Sequence, residues 1–229
     1  MTAGLVGPLF CLVTDRTRLS PPDEVQLVRL AARAAAAGIN LIQIRERQLD
    51  DRRLLALTRA VVEAVAGTGA RVVVNDRTDI ALAAGADGVH LRADSPPADQ
   101  VRSIVPAGFL IGRSVHGESE AIAVASTGVD YLILGTIFPS ASKPAATKWL
   151  GPDVLERVAH RVAIPLLAIG GVTADRVTSI AAAGAAGFAA IGLFADLQSN
   201  TTTDDALDSS LHRLVADLRA AFHRGAIAP

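Results

Sequence analysis

The chain has 229 residues, enough to bury a large core, and its 50% hydrophobic and 3% aromatic content predicts a globular protein with an aliphatic interior. With 22 Lys and Arg residues against 23 Asp and Glu residues, the net charge of -1 provides no broad positive field for nucleic acid or an anionic membrane. No apolar run reaches the roughly 18 residues of a membrane span and the N-terminus lacks a secretory signal pattern, so we expect a cytoplasmic protein without nucleic-acid or membrane partners.

Eight short, largely apolar runs recur along the chain and predict strands. They cover residues 9–14, 38–45, 69–76, 85–91, 108–114, 128–135, 162–171 and 184–192. Most of them begin at a glycine, which is typical of the left-handed residue that ends a preceding helix. Cys11 lies in the first run, where we expect a buried side chain, and a single cysteine excludes an internal disulfide or a multi-cysteine zinc site.

The segments between the runs are rich in alanine and repeat apolar residues with a helical period. They predict helices over residues 25–37, 54–65, 118–126 and 177–183. A final helix is expected over residues 206–222, capped by Thr203 or Asp204 at the end of the polar stretch 197–205.

Continuous apolar strands that alternate with helices indicate a parallel sheet covered by helices. Eight such units in a chain of this length predict a single (β/α)8 barrel over residues 1–229, without a linker that would divide it into domains. An open doubly wound sheet is the alternative. That fold usually has fewer strands and a glycine-rich turn after the first strand, where this chain has Thr14, Asp15 and Arg16.

In a (β/α)8 barrel the active site lies at the carboxyl ends of the strands, and here these ends carry polar and basic residues. They are Thr14, Asp15, Gln43, Arg45, Arg47, Asn75, Asp76, Arg77, His90, Arg92, Arg113, Ser114 and His116, followed by the loop 140–143 and by Gly170, Gly171 and Gly192. Because side chains two apart on a strand share a face, we expect Gln43 with Arg45, and Asn75 with Arg77, to point the same way.

Two anion sites are predicted at this rim. Gly171 and Gly192 end the last two strands, where barrels commonly bind a phosphate through bare backbone amides. The second site would hold a more highly charged group such as pyrophosphate, because hydroxyl, ammonium and guanidinium groups converge on it. Its residues are Arg45, Arg47, Ser140, Ser142 and Lys143.

Seven segments resemble, in order, the sequence blocks of the thiamine phosphate synthase and TenI family. They read FCLVTD (10–15), IQIRER (42–47), VNDRTDIAL (74–82), GADGVHL (85–91), GRSVH (112–116), GTIFPSASK (135–143) and AIGG (168–171). The resemblance implies a (β/α)8 barrel with one of two activities. The synthase joins hydroxymethylpyrimidine pyrophosphate to thiazole phosphate with Mg²⁺ on the pyrophosphate, and the TenI branch isomerises a thiazole carboxylate phosphate by proton transfer without metal.

The resemblance also implies roles for individual residues. Arg45 and Lys143 would contact the pyrophosphate, and Ser114 would lie beside the reacting carbon, so these three are the catalytic candidates. It further implies that Gln43 contacts the pyrimidine, that Asn75 contacts the pyrimidine or the pyrophosphate, and that Asp76 binds Mg²⁺. Substrate contacts are implied for Arg47, Ser140 and Ser142, and thiazole phosphate contacts for Gly171 and Gly192.

Three positions depart from the synthase or TenI pattern. Arg47 replaces a lysine, Ser95 replaces a second metal-binding aspartate with Asp94 one place early, and Thr136 replaces the TenI histidine. His116 is either a general acid or base or a loop histidine without a role.

Three functions therefore stay open: synthase, which we favour, thiazole tautomerase, and a barrel that binds thiazole or thiamine phosphate without turnover. The sequence leaves the oligomeric state open, with a homodimer as one option.

Overall fold

The computed structural model describes residues 5, 7–140, 149–200 and 203–227. Eight parallel strands close into a barrel in chain order. They are β1 Leu9–Val13, β2 Leu41–Ile44, β3 Arg71–Asn75, β4 Gly88–Leu91, β5 Leu110–Val115, β6 Tyr131–Gly135, β7 Leu166–Ile169 and β8 Gly187–Ala190. Because β1 also pairs with β8, the sheet has no free edge. The predicted (β/α)8 barrel is confirmed, and the open doubly wound sheet is excluded.

Helices cover the outside of the barrel. They are α1 Glu24–Ala36, α2 Asp51–Ala64, α3 Thr78–Ala84, α4 Ala98–Arg102, α5 Glu118–Ala125, α6 Gly151–Ala159, α7 Val177–Ala182, α8 Gly192–Ser199 and α9 Asp204–Ala226. Thr203 caps α9, since its side chain accepts a hydrogen bond from the Ala206 amide at 3.3 Å. We predicted that the polar stretch 197–205 precedes and caps the final helix, but its first three residues form the end of α8.

Left-handed glycines stand where the chain turns from a helix into the next strand. Gly38, Gly69, Gly85, Gly108, Gly128 and Gly184 have φ values between 71° and 105°. The prediction that these glycines end the preceding helices is confirmed at Gly38, Gly85 and Gly184, because other residues rarely adopt this backbone conformation. It is wrong at Gly69, Gly108 and Gly128, because α2, α4 and α5 already end at Ala64, Arg102 and Ala125.

The core has two layers, one inside the barrel and one between the strands and the helices. Cys11, Val73, Tyr131 and Leu167 are among the side chains of the inner layer. Burial raises the pKa of the Cys11 thiol, as expected for an inert core cysteine. None of the helices in the described ranges combines the length and apolar character needed to cross a membrane.

Candidate active site

Two cavities adjoin at the carboxyl-terminal mouth of the barrel. The larger, of about 1010 Å³, lies beside the turn Arg16–Arg18, the loop after β7 and the start of α8. The smaller, of about 410 Å³, lies over the ends of β2 to β6. Their shared wall consists of Arg45, Arg47, Ser140, Ile169, Gly170 and Ile191. The structure thus brings together most of the predicted site residues and separates them into two connected spaces.

Gly171 and Gly192 both line the larger cavity, as predicted. The Gly171 amide donates no hydrogen bond to any described residue. Helix α8 begins at Gly192 without a side-chain cap, and the first amides of a helix lack acceptors within it. Together these amides form a surface suited to a phosphate group, with the positive end of the helix dipole behind it.

Gly171 is also required by the packing of the loop after β6. Its φ is 62°, and a Cβ atom there would overlap the carbonyl oxygens of Phe138 and Pro139. The Arg176 guanidinium donates to the Gly171 carbonyl at 2.7 Å and lies 5.0 Å from the centroid of the Phe138 ring. A substitution at Gly171 would therefore disturb both loops and not only the phosphate cavity.

Three arginines of the larger cavity were not predicted as site residues. Arg16 and Arg18 belong to a short turn directly after β1, and Arg176 follows the β7 loop. Arg18 forms an ion pair of 2.7 Å with Asp196 on α8, close to Gly192. The cationic pair flanking Thr17 after the first strand was a sequence signal for this group, but only the fold shows that β1 and β8 are neighbours.

The smaller cavity holds the amide side chains predicted to meet the pyrimidine. Gln43 Nε2 donates to Asn75 Oδ1 at 3.0 Å, and both side chains line the cavity together with Arg45. The expected shared face of Gln43 and Arg45 is confirmed. The pairing of Asn75 with Arg77 is wrong, because Arg77 bonds to Asp51 at 2.5 Å and Asp79 at 2.7 Å, outside both cavities.

Ser114 is held in the smaller cavity by a buried imidazole. His90 Nε2 lies 2.9 Å from Ser114 Oγ, and His90 Nδ1 lies 3.2 Å from the Tyr131 hydroxyl. Burial, and then the charge of Arg113, lower the pKa of His90 to about 3. The imidazole is therefore neutral at physiological pH, and it orients the Ser114 hydroxyl without charging the cavity.

Arg45 and Arg47 form the cationic part of the shared wall. Burial first, and then the like charge of Arg47, lower the pKa of Arg45. The Arg45 amide donates to the Thr14 hydroxyl at 2.9 Å, which fixes the backbone at the end of β2. Two neighbouring guanidinium groups at the junction of the cavities favour a polyanion that reaches from one cavity into the other.

Asp76, the predicted metal ligand, is engaged by its neighbours. One carboxylate oxygen accepts a hydrogen bond from the Ser95 hydroxyl, and the other lies 3.4 Å from Arg92 Nη1. Arg92 also contacts Asp94 at 2.5 Å. Among the described residues there is no group of three or more His, Cys, Asp and Glu side chains that could hold a metal ion.

The remaining predicted positions are placed unequally. Ser140 borders both cavities, whereas Ser142 and Lys143 lie outside the described residues. His116 borders the smaller cavity, but its side chain is 61% exposed and lies 3.7 Å from Glu120. Thr136, at the position of the TenI histidine, also borders this cavity.

A closed barrel with polar and basic side chains gathered over the carboxyl ends of its strands is the architecture of a (β/α)8-barrel enzyme. The sequence profile of the family described as thiamine monophosphate synthase matches residues 10–194. The chain belongs to this family. It is a transferase of thiamine biosynthesis.

Individual relatives agree with the profile. The thiamine-phosphate synthase of Methanoculleus marisnigri is 44% identical over 180 residues, which cover 79% of this chain and 84% of that protein. The thiamine-phosphate synthase of Chlorobium luteolum is 38% identical over 193 residues, covering 84% and 88% of the two chains. Each match spans most of both proteins.

Solved structures share the fold. The thiamine phosphate pyrophosphorylase from Pyrococcus furiosus superposes with a TM-score of 0.75 at 28% identity, covering 92% of this chain and 96% of that one. A 3-hexulose-6-phosphate synthase superposes with a TM-score of 0.65 at 19% identity, over 93% and 99% of the two chains. The similarity to the 3-hexulose-6-phosphate synthase shows only that the two proteins share the barrel fold.

Proposed function

We propose that this protein is a thiamine phosphate synthase that joins hydroxymethylpyrimidine pyrophosphate to thiazole phosphate and releases pyrophosphate. The observation that carries the proposal is the pair of adjoining cavities with a shared cationic wall. A transferase with two phosphorylated substrates needs space for both at once, and the reacting atoms must meet where the spaces join. The relatives named thiamine-phosphate synthase support the same substrates.

In this proposal the two substrates lie on opposite sides of the junction. The thiazole phosphate binds in the larger cavity, with its phosphate on the amides of Gly171 and Gly192. The pyrimidine lies in the smaller cavity against Gln43 and Asn75, whose amide groups match its ring nitrogens and amino group. Its pyrophosphate extends along the shared wall to Arg45, which is joined there by Arg47 and Ser140.

The proposed reaction breaks the bond between the pyrimidine methylene carbon and the pyrophosphate oxygen, and both electrons leave with the oxygen. The thiazole nitrogen then donates its lone pair to the methylene cation and forms the new carbon–nitrogen bond. Negative charge grows on the leaving group during ionisation, so the cations of the shared wall stabilise the transition state more than the bound substrate. No proton is transferred, and the step needs no general base.

The synthase reaction needs no general base, whereas the tautomerase must move a proton. Both ring nitrogens of His90 are engaged by hydroxyl groups, and its low pKa makes it a poor base. Thr136 stands where the tautomerase pattern has a histidine. His116 is largely exposed and faces Glu120. The described side chains of the smaller cavity thus favour ionisation chemistry over proton transfer.

The Mg²⁺ that the family resemblance implies does not fit the described ligand set. Asp76 is hydrogen bonded by Ser95 on one oxygen and faced by Arg92 on the other, and the same guanidinium holds Asp94. A divalent cation binds carboxylates that are free to face it. We therefore assign no step of the reaction to a metal ion.

The proposal is tested by incubating the purified protein with both substrates and quantifying the products by chromatography. We expect thiamine phosphate and pyrophosphate in equal amounts, and neither product when one substrate is omitted. A parallel reaction contains the thiazole carboxylate phosphate alone. Isomerisation in that reaction without thiamine phosphate in the first would identify a tautomerase, and binding of thiazole phosphate without any turnover would identify a non-catalytic barrel.

A further inference from the structure

Arg92 lies where the family resemblance places a metal ion. It follows β4 directly and lines the smaller cavity together with Arg45 and Arg47. Its guanidinium bridges two carboxylates, with Asp76 at 3.4 Å from one terminal nitrogen and Asp94 at 2.5 Å from the other. A cation shared by two carboxylates is the arrangement expected of a metal centre, but here the cation is a side chain.

Ser95 completes this arrangement. Its hydroxyl donates to Asp76, and its Oγ accepts a hydrogen bond from the Arg92 amide at 2.8 Å. An aspartate at this position would be a second acceptor beside Asp76 and would need a cation between them. The hydroxyl donor instead satisfies Asp76, so the site loses a metal ligand without leaving an unpaired carboxylate.

The backbone around Arg92 is fixed by contacts from the neighbouring strands. Arg113 on β5 donates to the carbonyl groups of Ala93, Ser95 and Pro96 at distances of 2.8 to 3.0 Å. The Asp76 amide donates to the His90 carbonyl at 2.9 Å. The guanidinium is therefore held at the cavity by both carboxylates and by a clamped loop.

Arg92 retains donors for a ligand. Its Nε and the second hydrogens of its terminal nitrogens have no acceptor among the described residues, and its side chain is 49% exposed. A guanidinium stays protonated throughout the range in which proteins are stable and presents paired donors that match phosphate oxygens. Three guanidinium groups of Arg45, Arg47 and Arg92 face this cavity, while Asp94 is the one carboxylate of its described lining.

We propose that Arg92 takes the place of Mg²⁺ in this protein and that its guanidinium contacts the departing pyrophosphate. The proposal rests on the synthase function above. As the carbon–oxygen bond breaks, its electron pair passes to the pyrophosphate oxygen, and the fixed charge of Arg92 offsets the added negative charge. No proton or metal ion enters this step. Arg92 is then a catalytic residue, and Asp76 and Asp94 position it.

The first experiment measures the binding of inorganic pyrophosphate in the presence of EDTA by isothermal titration calorimetry. We expect the wild type to bind without metal, and Arg92→Gln to bind at least tenfold more weakly. Arg53→Gln is the matched control, because Arg53 is an exposed arginine of α2 that pairs with Glu24 and lies outside both cavities. Pyrophosphate binding that requires Mg²⁺, or unchanged binding in Arg92→Gln, would overturn the proposal.

The second measurement is the rate of thiamine phosphate formation with EDTA or with Mg²⁺. The wild-type rates should agree within about twofold, and Arg92→Gln should lower kcat by roughly a hundredfold, as for other lost charge-stabilising donors. A tenfold or greater loss of wild-type activity in EDTA that Mg²⁺ restores would contradict the role of Arg92. If no thiamine phosphate forms under either condition, the synthase function fails, and the pyrophosphate titration still decides the binding role of Arg92.

Discussion

The imidazole of His90 lies fully buried between the hydroxyl groups of Ser114 and Tyr131. Position 112 requires glycine, because a Cβ atom there would overlap the Tyr131 ring. These contacts fix the Ser114 hydroxyl at the cavity wall. The sequence identified Ser114 and His90 through family motifs and as polar strand ends, but only the fold shows that His90 contacts Ser114 and that Tyr131 holds His90.

The lowered pKa of His90 predicts acid sensitivity of the fold. The unfolded imidazole has a pKa near 6.5 and the folded one about 3. Between these values the unfolded chain binds a proton that the folded chain does not, so stability falls as the pH is lowered below about 6.5. From pH 7 to pH 5, His90 alone should remove roughly 2 kcal/mol of the free energy of unfolding.

Urea unfolding of the wild type and of His90→Gln at both pH values measures this effect. The variant should lose less stability than the wild type between pH 7 and pH 5, whatever its stability at pH 7. His160→Gln is the control for the replacement of a histidine as such, because His160 is exposed at the end of α6. Equal pH dependence in His90→Gln and the wild type would show that His90 is not neutral in the folded protein.

At the scale of secondary-structure elements, the predicted strands all formed, but each is shorter than its apolar run. Run 38–45 became β2 Leu41–Ile44, and run 162–171 became β7 Leu166–Ile169. The first residues of most runs form the turn that leads from the preceding helix into the strand. Helix α8 was not predicted, because it begins at a glycine and has no side-chain cap, so its signals for a helix start are absent from the sequence.

The start of α8 carries a separate prediction about phosphate binding. Gly192→Asp should weaken binding of thiazole phosphate by at least tenfold, because it places a negative charge beside the amides that hold the phosphate. The backbone at Gly192 does not have a positive φ, and a Cβ atom there would meet only the ends of the Asp196 and Arg18 side chains at 3.1 and 3.2 Å. The barrel should therefore remain folded.

Calorimetry with thiazole phosphate measures the affinity, and thermal unfolding checks the fold. Gly192→Ala is the matched control, since it adds the same Cβ atom without the charge and should bind more tightly than the aspartate variant. Wild-type affinity in Gly192→Asp would place the phosphate elsewhere in the larger cavity.

At the scale of the whole molecule, the sequence predicted which residues meet but not all the directions in which they point. Strand order in a closed barrel brings Gln43, Asn75 and Ser114 to one mouth, and this follows from their positions at strand ends. Arg77 occupies a similar position, yet Asp51 and Asp79 draw it to the outer surface. Such competition between partners depends on helix placement, which a strand pattern does not contain.

The division of the mouth into two cavities is likewise a property of the assembled barrel. The wall between them is formed by Arg45 and Arg47 after β2, by Ile169 and Gly170 at the end of β7, by Ile191 after β8 and by Ser140 after β6, which are distant in the sequence. Two anion sites were predicted from residue types, and the structure adds that Arg45 and Arg47 face both spaces. The structure therefore predicts that two phosphorylated groups bind together at one mouth.

Calorimetric titration of thiazole phosphate into the protein, alone and after saturation with inorganic pyrophosphate, shows whether both groups bind at once. We predict that thiazole phosphate binds with one site per chain in both titrations and with a similar affinity, because its phosphate uses the amides of Gly171 and Gly192 while the pyrophosphate uses Arg45 and Arg47. Loss of thiazole phosphate binding in the presence of saturating pyrophosphate would show that the two anions compete for one site, and would contradict binding at two separate sites.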